Sequence, residues 1–200
     1  MNRASPLNET FSEWWEKSID KDDGQAKADR AALCRLGVAD QVFPPAIDVA
    51  GALTIGAFRT LYRQINQREI LKDFRTGDWE DRLAVAAMVL AQVRTNTPSH
   101  TTAALLGGDD DTPLMAESRF RRLLRAKDPV DLWAQARRAV ALLKREAPVG
   151  DLGASLFTWD AHTRRRWAGA YWRLQAPAED QSAPSAAVLS PTPLSTLGAP

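Results

Sequence analysis

The chain is poor in the residues that usually carry chemistry. It has one cysteine, Cys34, in 200 residues, so no intrachain disulfide can form, which suits a reducing cytoplasm. Its two histidines, His100 and His162, stand in unrelated contexts and with Cys34 fit no zinc-ligand spacing. There is no P-loop, no GxGxxG and no HExxH. No run of about 18 apolar residues occurs, so no membrane helix is expected. Met1 to Ser12 is too polar for the apolar core of a signal peptide. The acidic run Asp109-Asp110-Asp111 follows Gly107-Gly108 and reads as a solvated loop rather than a Mg²⁺ site. His100 beside Ser99 lacks a third partner and reads as a surface histidine. Cys34, set among Ala, Arg and Leu, reads as a packed structural thiol. The expectation is a chain that is not an enzyme and uses no cofactor and no metal.

Against this poverty stand seven tryptophans and an uneven charge. Side chains that large need a substantial core or an interface. The net charge is +1, but Met1 to Leu114 carries −4, Met115 to Gln175 carries +7, and the last 25 residues carry −2. A basic half in a near-neutral protein is the footprint of a polyanion partner, or else a solvated arginine-rich surface. Gln175 to Pro200 holds five of the twelve prolines among Ala, Ser and Thr, with no aromatic residue. Such a segment buries too little apolar area to offset its ordering entropy, so it reads as a disordered tail. The expected organisation is one helical domain over 1–175 and a disordered tail over 176–200.

The fold class expected is all-α, a single compact helical bundle, because no convincing period-two run is present. Thr10-Phe11-Ser12-Glu13 reads as a capping box opening a helix with Phe11, Trp14, Trp15 and Ile19 on one stripe. A second helix follows Gly24 and ends near Gly37, with Ala28, Ala32, Leu33 and Leu36 inward and Lys27 and Arg30 off that stripe. Pro44-Pro45 break the chain. A third helix includes Phe58, Leu61, Tyr62 and Ile65. A fourth starts at Asp78 or Trp79 and runs through Arg94; it is apolar on nearly every side and so reads as the centre of the domain. A polar loop spans Thr95 to Pro113.

The basic half has the cleanest periodicity. Around Ser118 to Ala126, Phe120, Leu123 and Leu124 point one way and Arg121, Arg122 and Arg125 the other. Arg119, at the border, leans toward a structural role. Asp128 and Pro129 are N-cap and first residue of the next helix. There Leu132, Trp133, Ala136, Val140 and Leu143 face inward, while Arg137 and Lys144, and Arg138 and Arg145, recur seven apart. Pro148 and Gly150 end it. A short helix near Leu152 to Thr158 leads to Asp160, the N-cap of a last helix. That helix places Trp167, Ala170, Tyr171 and Leu174 inward, Arg165 opposite, and Arg166 and Arg173 on one flank. Trp172 falls near the Arg165 side and reads as a protein-interface residue, with nucleic acid or the tail as alternatives. Three successive helices thus present arginines opposite their apolar stripes. Arginine suits phosphate because its planar fork binds bidentately and stays charged. If the helices pack side by side, the faces merge into one groove. Each single arginine has the alternative of a solvated or salt-bridged role, with Asp128, Asp131 and Glu146 in reach by sequence.

The order of segments resembles a known family. An aromatic opening helix (Phe11 to Trp15) precedes Asp-Asp-Gly and a basic helix, then Ala57-Phe58-Arg59-Thr60-Leu61 and the apolar helix ending Gln92-Val93-Arg94. Arg119-Phe120-Arg121-Arg122-Leu123-Leu124 is followed by Ala136-Arg137-Arg138-Ala139, then Phe157-Thr158-Trp159-Asp160 and Arg164-Arg165-Arg166-Trp167-Ala168. Over about residues 8 to 174 this resembles the CasB-type small subunit of the type I-E CRISPR surveillance complex, Cascade. The resemblance implies a non-catalytic helical subunit in the cytoplasm, acting in antiviral defence. Its implied partners are the backbone and large subunits, a second copy of itself, and the R-loop of crRNA, target DNA and displaced strand. Cleavage belongs to a recruited helicase-nuclease. Guide pairing reads sequence, so the subunit needs only phosphate contacts that position a strand. Carried over by position, Lys27, Arg30, Arg122, Arg125, Arg137, Arg138, Arg165 and Arg166 are the candidate nucleic-acid contacts. The alternative is an assembly subunit whose basic faces meet acidic protein surfaces. The chain departs from the family pattern in a longer stretch from Asp40 to Gly56 and in the Pro-rich tail.

Overall fold

A computed structural model describes residues 6–37, 46–75, 77–108 and 112–174. The acidic run 109–111 and the tail from 175 onward lie outside the described residues.

The first helix, α1 (Pro6–Ser18), starts ahead of the expected capping box. Proline opens a helix readily because the first N–H has no intrahelical partner. Thr10 therefore lies inside the helix, its hydroxyl donating to the Pro6 carbonyl at 2.8 Å. The stripe is as expected: Phe11, Trp14 and Trp15 are buried. In α2 (Gly24–Arg35), the Asp23 carboxylate caps the start by accepting from the Ala26 N–H at 2.7 Å. Its inner face is Ala26, Asp29 and Leu33, and Ala28, expected inward, is exposed. The face is rotated because Asp29 is drawn in: its carboxylate accepts from the Ala57 N–H at 2.7 Å. That bond caps α4 (Gly56–Gln67), whose own N-cap residue, Ile55, offers no side-chain acceptor. A short α3 (Val49–Leu53) precedes α4, and a 3-10 helix (Glu69–Phe74) follows it.

The fifth helix, α5 (Trp79–Leu90), is the centre that its all-round apolarity predicts, with every residue from Leu83 to Leu90 buried. It stops at Leu90 rather than Arg94, and a turn leads into β1 (Thr95–Asn96). The stretch expected to be loop holds a further helix, α6 (Thr102–Gly107), capped by the Thr101 hydroxyl accepting from the Ala104 N–H at 3.3 Å. Then come α7 (Glu117–Leu124), α8 (Pro129–Leu142), β2 (Glu146–Ala147), α9 (Val149–Thr158) and α10 (Ala161–Tyr171). Asp128 and Asp160 cap α8 and α10 as expected, accepting from the Asp131 and Thr163 N–H groups at 2.9 and 2.7 Å.

Pro148 and Gly150 do not end α8. They open α9, with Pro148 at its N-cap. The α8 helix ends earlier, where Lys144 and Arg145 take left-handed φ values of 54° and 67°. The turn sends the Arg145 carbonyl to the Arg94 N–H at 2.7 Å. It thereby starts a two-residue parallel pairing of β1 with β2, Thr95 opposite Glu146. The last helix buries Trp167 and Tyr171, but Leu174 lies beyond its end and is 76% exposed. Trp172 packs on its own chain, edge-on to Phe120 and Tyr171 with ring centroids 5.5 and 5.2 Å apart.

The core is a three-helix stack in which α9 lies between α5 and α1. Two glycines of α9 allow this approach. A Cβ at Gly153 would come within 2.6 Å of the Phe11 ring and 2.9 Å of Leu90, and one at Gly150 within 2.7 Å of the Asn8 carbonyl. Among the described residues no helix is long and apolar enough to cross a membrane, and no three metal-ligating side chains converge.

Candidate nucleic-acid interface

The α7 helix splits cleanly. Phe120 and Leu123 are buried, whereas Arg121, Arg122 and Arg125 are exposed. Arg121 is engaged with Glu117 at 2.7 Å. Arg122 and Arg125 make no side-chain hydrogen bond or ion pair among the described residues. On α8, Arg137 and Arg138 are both exposed. Arg138 donates to the Gln135 side-chain oxygen at 3.3 Å, which holds its head over the space between the two helices. That space is a cleft of about 550 Å³ carrying Arg119, Arg122 and Arg138, with Met115, Gln135, Ala141 and Leu142 completing its lining. Among the described residues no carboxylate lines it. The acids near by in sequence are engaged elsewhere: Asp128 caps α8 by accepting from the Asp131 N–H, Asp131 accepts from the Gln135 side-chain amide at 3.0 Å, and Glu117 pairs with Arg121.

A second basic group lies across α8. Arg137 sits over the Trp133 ring, 4.9 Å from its centroid, a cation–π arrangement that fixes its direction. Trp133 in turn lies against Gly37 at the end of α2, where a Cβ would come within 3.2 Å of the ring. The Cys34 thiol, half-buried on α2, is pushed above its ordinary pKa by burial, against the pull of Arg30, Arg94, Arg145 and Arg137. Contacts bring these arginines together: Arg30 donates to the Ala91 and Val93 carbonyls beside Arg94, the Arg94 N–H donates to the Arg145 carbonyl, and Arg137 lies on the Trp133 ring that meets the end of α2. A cavity of about 660 Å³ there takes in Lys27, Arg30, Arg35 and Arg94, with Asp20 and Asp22 on its wall. The α8 helix joins the two groups, presenting Arg138 to one and Arg137 to the other.

The other four expected contacts, Arg30, Arg166, Lys27 and Arg165, have partners within the chain. Arg30 donates from Nε to the Ala91 carbonyl at 2.9 Å and from Nη2 to the Val93 carbonyl, satisfying groups left open where α5 ends. Burial, then Arg94, lowers its pKa from the usual arginine value. Replacing Arg30 with alanine is expected to lower stability by about 1–2 kcal/mol, read by chemical denaturation, because two carbonyls lose a charged donor. Arg166 donates to the Asp151 carboxylate at 2.7 Å and to the Ser155 hydroxyl at 2.6 Å, tying α10 to α9. Lys27 is exposed and paired with Asp22. Arg165 is exposed and donates to the Ala161 carbonyl at 3.3 Å. Arg165 lines neither the α7–α8 cleft nor the cavity at Arg30; the faces brought together are those of α7 and α8 with the α2–β1 region. Sequence reasoning missed Arg94, which has no periodic signal. It passed over Arg145 despite its seven-residue spacing from Arg138, and it weighted Arg119, which is exposed in the cleft, toward structure.

Neither a curated protein nor a solved structure matches the chain. The family described as CRISPR-associated protein Cse2 (CRISPR_cse2) matches residues 29–172, from the middle of α2 to the end of α10, and the chain belongs to that family, the small subunit of type I-E Cascade.

Proposed function

We propose that this Cascade subunit holds DNA by its phosphates along the α7–α8 face, stabilising the target and the displaced strand of the R-loop without catalysing a reaction. Family membership makes other Cascade subunits its partners. The observation that carries the reading is the α7–α8 cleft, where three arginines face one space that no acid among the described residues lines. Uncompensated arginines at one cleft are a cost to the folded monomer, because like charges repel, and a polyanion relieves it. The second basic group extends the face across α8, and a strand tracking it would be positioned rather than read.

The test is fluorescence anisotropy of the full chain with a labelled single-stranded DNA, titrated across salt. Each phosphate neutralised contributes about 0.7 to the slope of log affinity against log salt on a single strand. A variant carrying Arg122→Ala, Arg125→Ala, Arg137→Ala and Arg138→Ala is expected to stay folded, since all four side chains are exposed. It should flatten the slope by about 3. Negligible binding by both proteins, together with loss of assembly in the variant, would instead assign these arginines to acidic partner surfaces.

A further inference from the structure

The α7–α8 cleft has a floor that phosphate binding does not need. Met115, 2% exposed, and Leu142 supply apolar surface beneath the arginine rim. Gln135, 8% exposed, puts a buried amide in the wall. One Nε2 hydrogen goes to Asp131 and Oε1 accepts once from Arg138, leaving one donor and one acceptor site on the amide. At about 550 Å³ the cleft falls in the range of small-ligand sites, about 300–1,000 Å³. A phosphate backbone alone lies on a convex basic ridge equally well. A recess with a cationic rim, an apolar floor and a buried amide fits a flat, partly polar group flanked by anions.

We propose that the α7–α8 cleft seats one unpaired nucleobase, with Arg119, Arg122 and Arg138 on the flanking phosphates, so that this face selects single-stranded over duplex DNA. The proposal rests on the DNA-binding reading above. A paired base is stacked within a duplex and cannot enter a recess without being drawn out, which costs a few kcal/mol. A single strand enters without that cost. Selection therefore comes from the shape of the floor, and attraction from the rim.

The experiment compares three labelled probes of equal length with the full chain: an oligothymidine, the same backbone with abasic residues, and a duplex. The second protein is Ala141→Phe. Ala141 is an exposed residue near the end of α8 that lines the cleft, so phenylalanine fills the recess while leaving every charge in place. Wild type is expected to bind oligothymidine about fivefold or more tighter than the abasic strand, the gain from burying part of a base face on the apolar floor, with equal salt slopes. Ala141→Phe should remove that preference. Salt-dependent binding with no preference for bases in wild type overturns the base site while leaving the phosphate reading intact. Absence of salt-dependent binding overturns both. A change in sedimentation of Ala141→Phe without any base preference in wild type would assign the cleft to a second copy of the chain and also overturn the proposal. The wild-type comparison needs no substitution, so misfolding of the variant does not shield the idea.

Discussion

Replacing Trp14 with alanine is expected to cost about 3–5 kcal/mol of stability, the range for deleting a fully buried aromatic side chain. The side chain is 0% exposed, and its indole N–H donates to the Ala57 carbonyl at 2.8 Å, joining α1 to the first turn of α4. Domains of this size are stable by about 5–15 kcal/mol, so the loss is a large fraction of the whole. Trp14→Phe should cost less, because it keeps most of the apolar volume and gives up the hydrogen bond. Urea denaturation followed by circular dichroism separates the two. If the alanine variant unfolds within about 1 kcal/mol of wild type, α1 is not part of the cooperative core.

The second large effect is expected at Arg166, and it separates two roles the sequence could not. If the residue contacts DNA, alanine weakens binding and leaves the fold alone. Its bonds to Asp151 and Ser155 predict the reverse. The Asp151 side chain is 10% exposed and its other oxygen accepts from the Thr102 N–H at 2.8 Å, so α6, α9 and α10 meet at this carboxylate. Removing one partner of a buried pair costs about 3–5 kcal/mol. The Arg166 side chain is 36% exposed, and water will partly replace it, which reduces the expected loss to about 2 kcal/mol. Asp151→Asn added to Arg166→Ala should recover part of it, since the uncompensated charge goes. Stability equal to wild type together with weakened DNA binding would return Arg166 to the interface.

Arg166 also shows where the sequence was legible and where it was not. Local signals worked: Asp128 with Pro129 and Asp160 set the starts of α8 and α10, and the unbroken apolarity of Leu83 to Leu90 marked the central helix. The split of α7 into Phe120 and Leu123 against its arginines was equally plain. What failed were the places where a distant partner decides. Asp29 turns inward because Ala57 needs an acceptor, which rotates the face of α2. Arg30 is claimed by carbonyls 61 and 63 residues on, at Ala91 and Val93. Pro148 and Gly150 look like a terminator until α1 is seen to need the close approach that glycine permits. The cleft itself was half legible: Arg122 and Arg138 follow from helical periodicity, but the pairing of their two helices, and the inclusion of Arg119, do not.

The way α1 seats on α9 separates the stretch that identifies the family from the stretch that folds. The family match begins at residue 29, after α1 has ended. Yet Phe11, Trp14 and Trp15 from that helix are among the largest fully buried side chains, and the Trp15 indole donates to the Leu90 carbonyl at the end of the central helix. A fragment cut at the match boundary would keep every arginine of the basic face while uncovering the glycine side of α9, and would also split α2, whose Asp29 holds the first turn of α4. The matched segment is thus not an autonomous unit; α1, which lies outside it, completes the interior on which it depends.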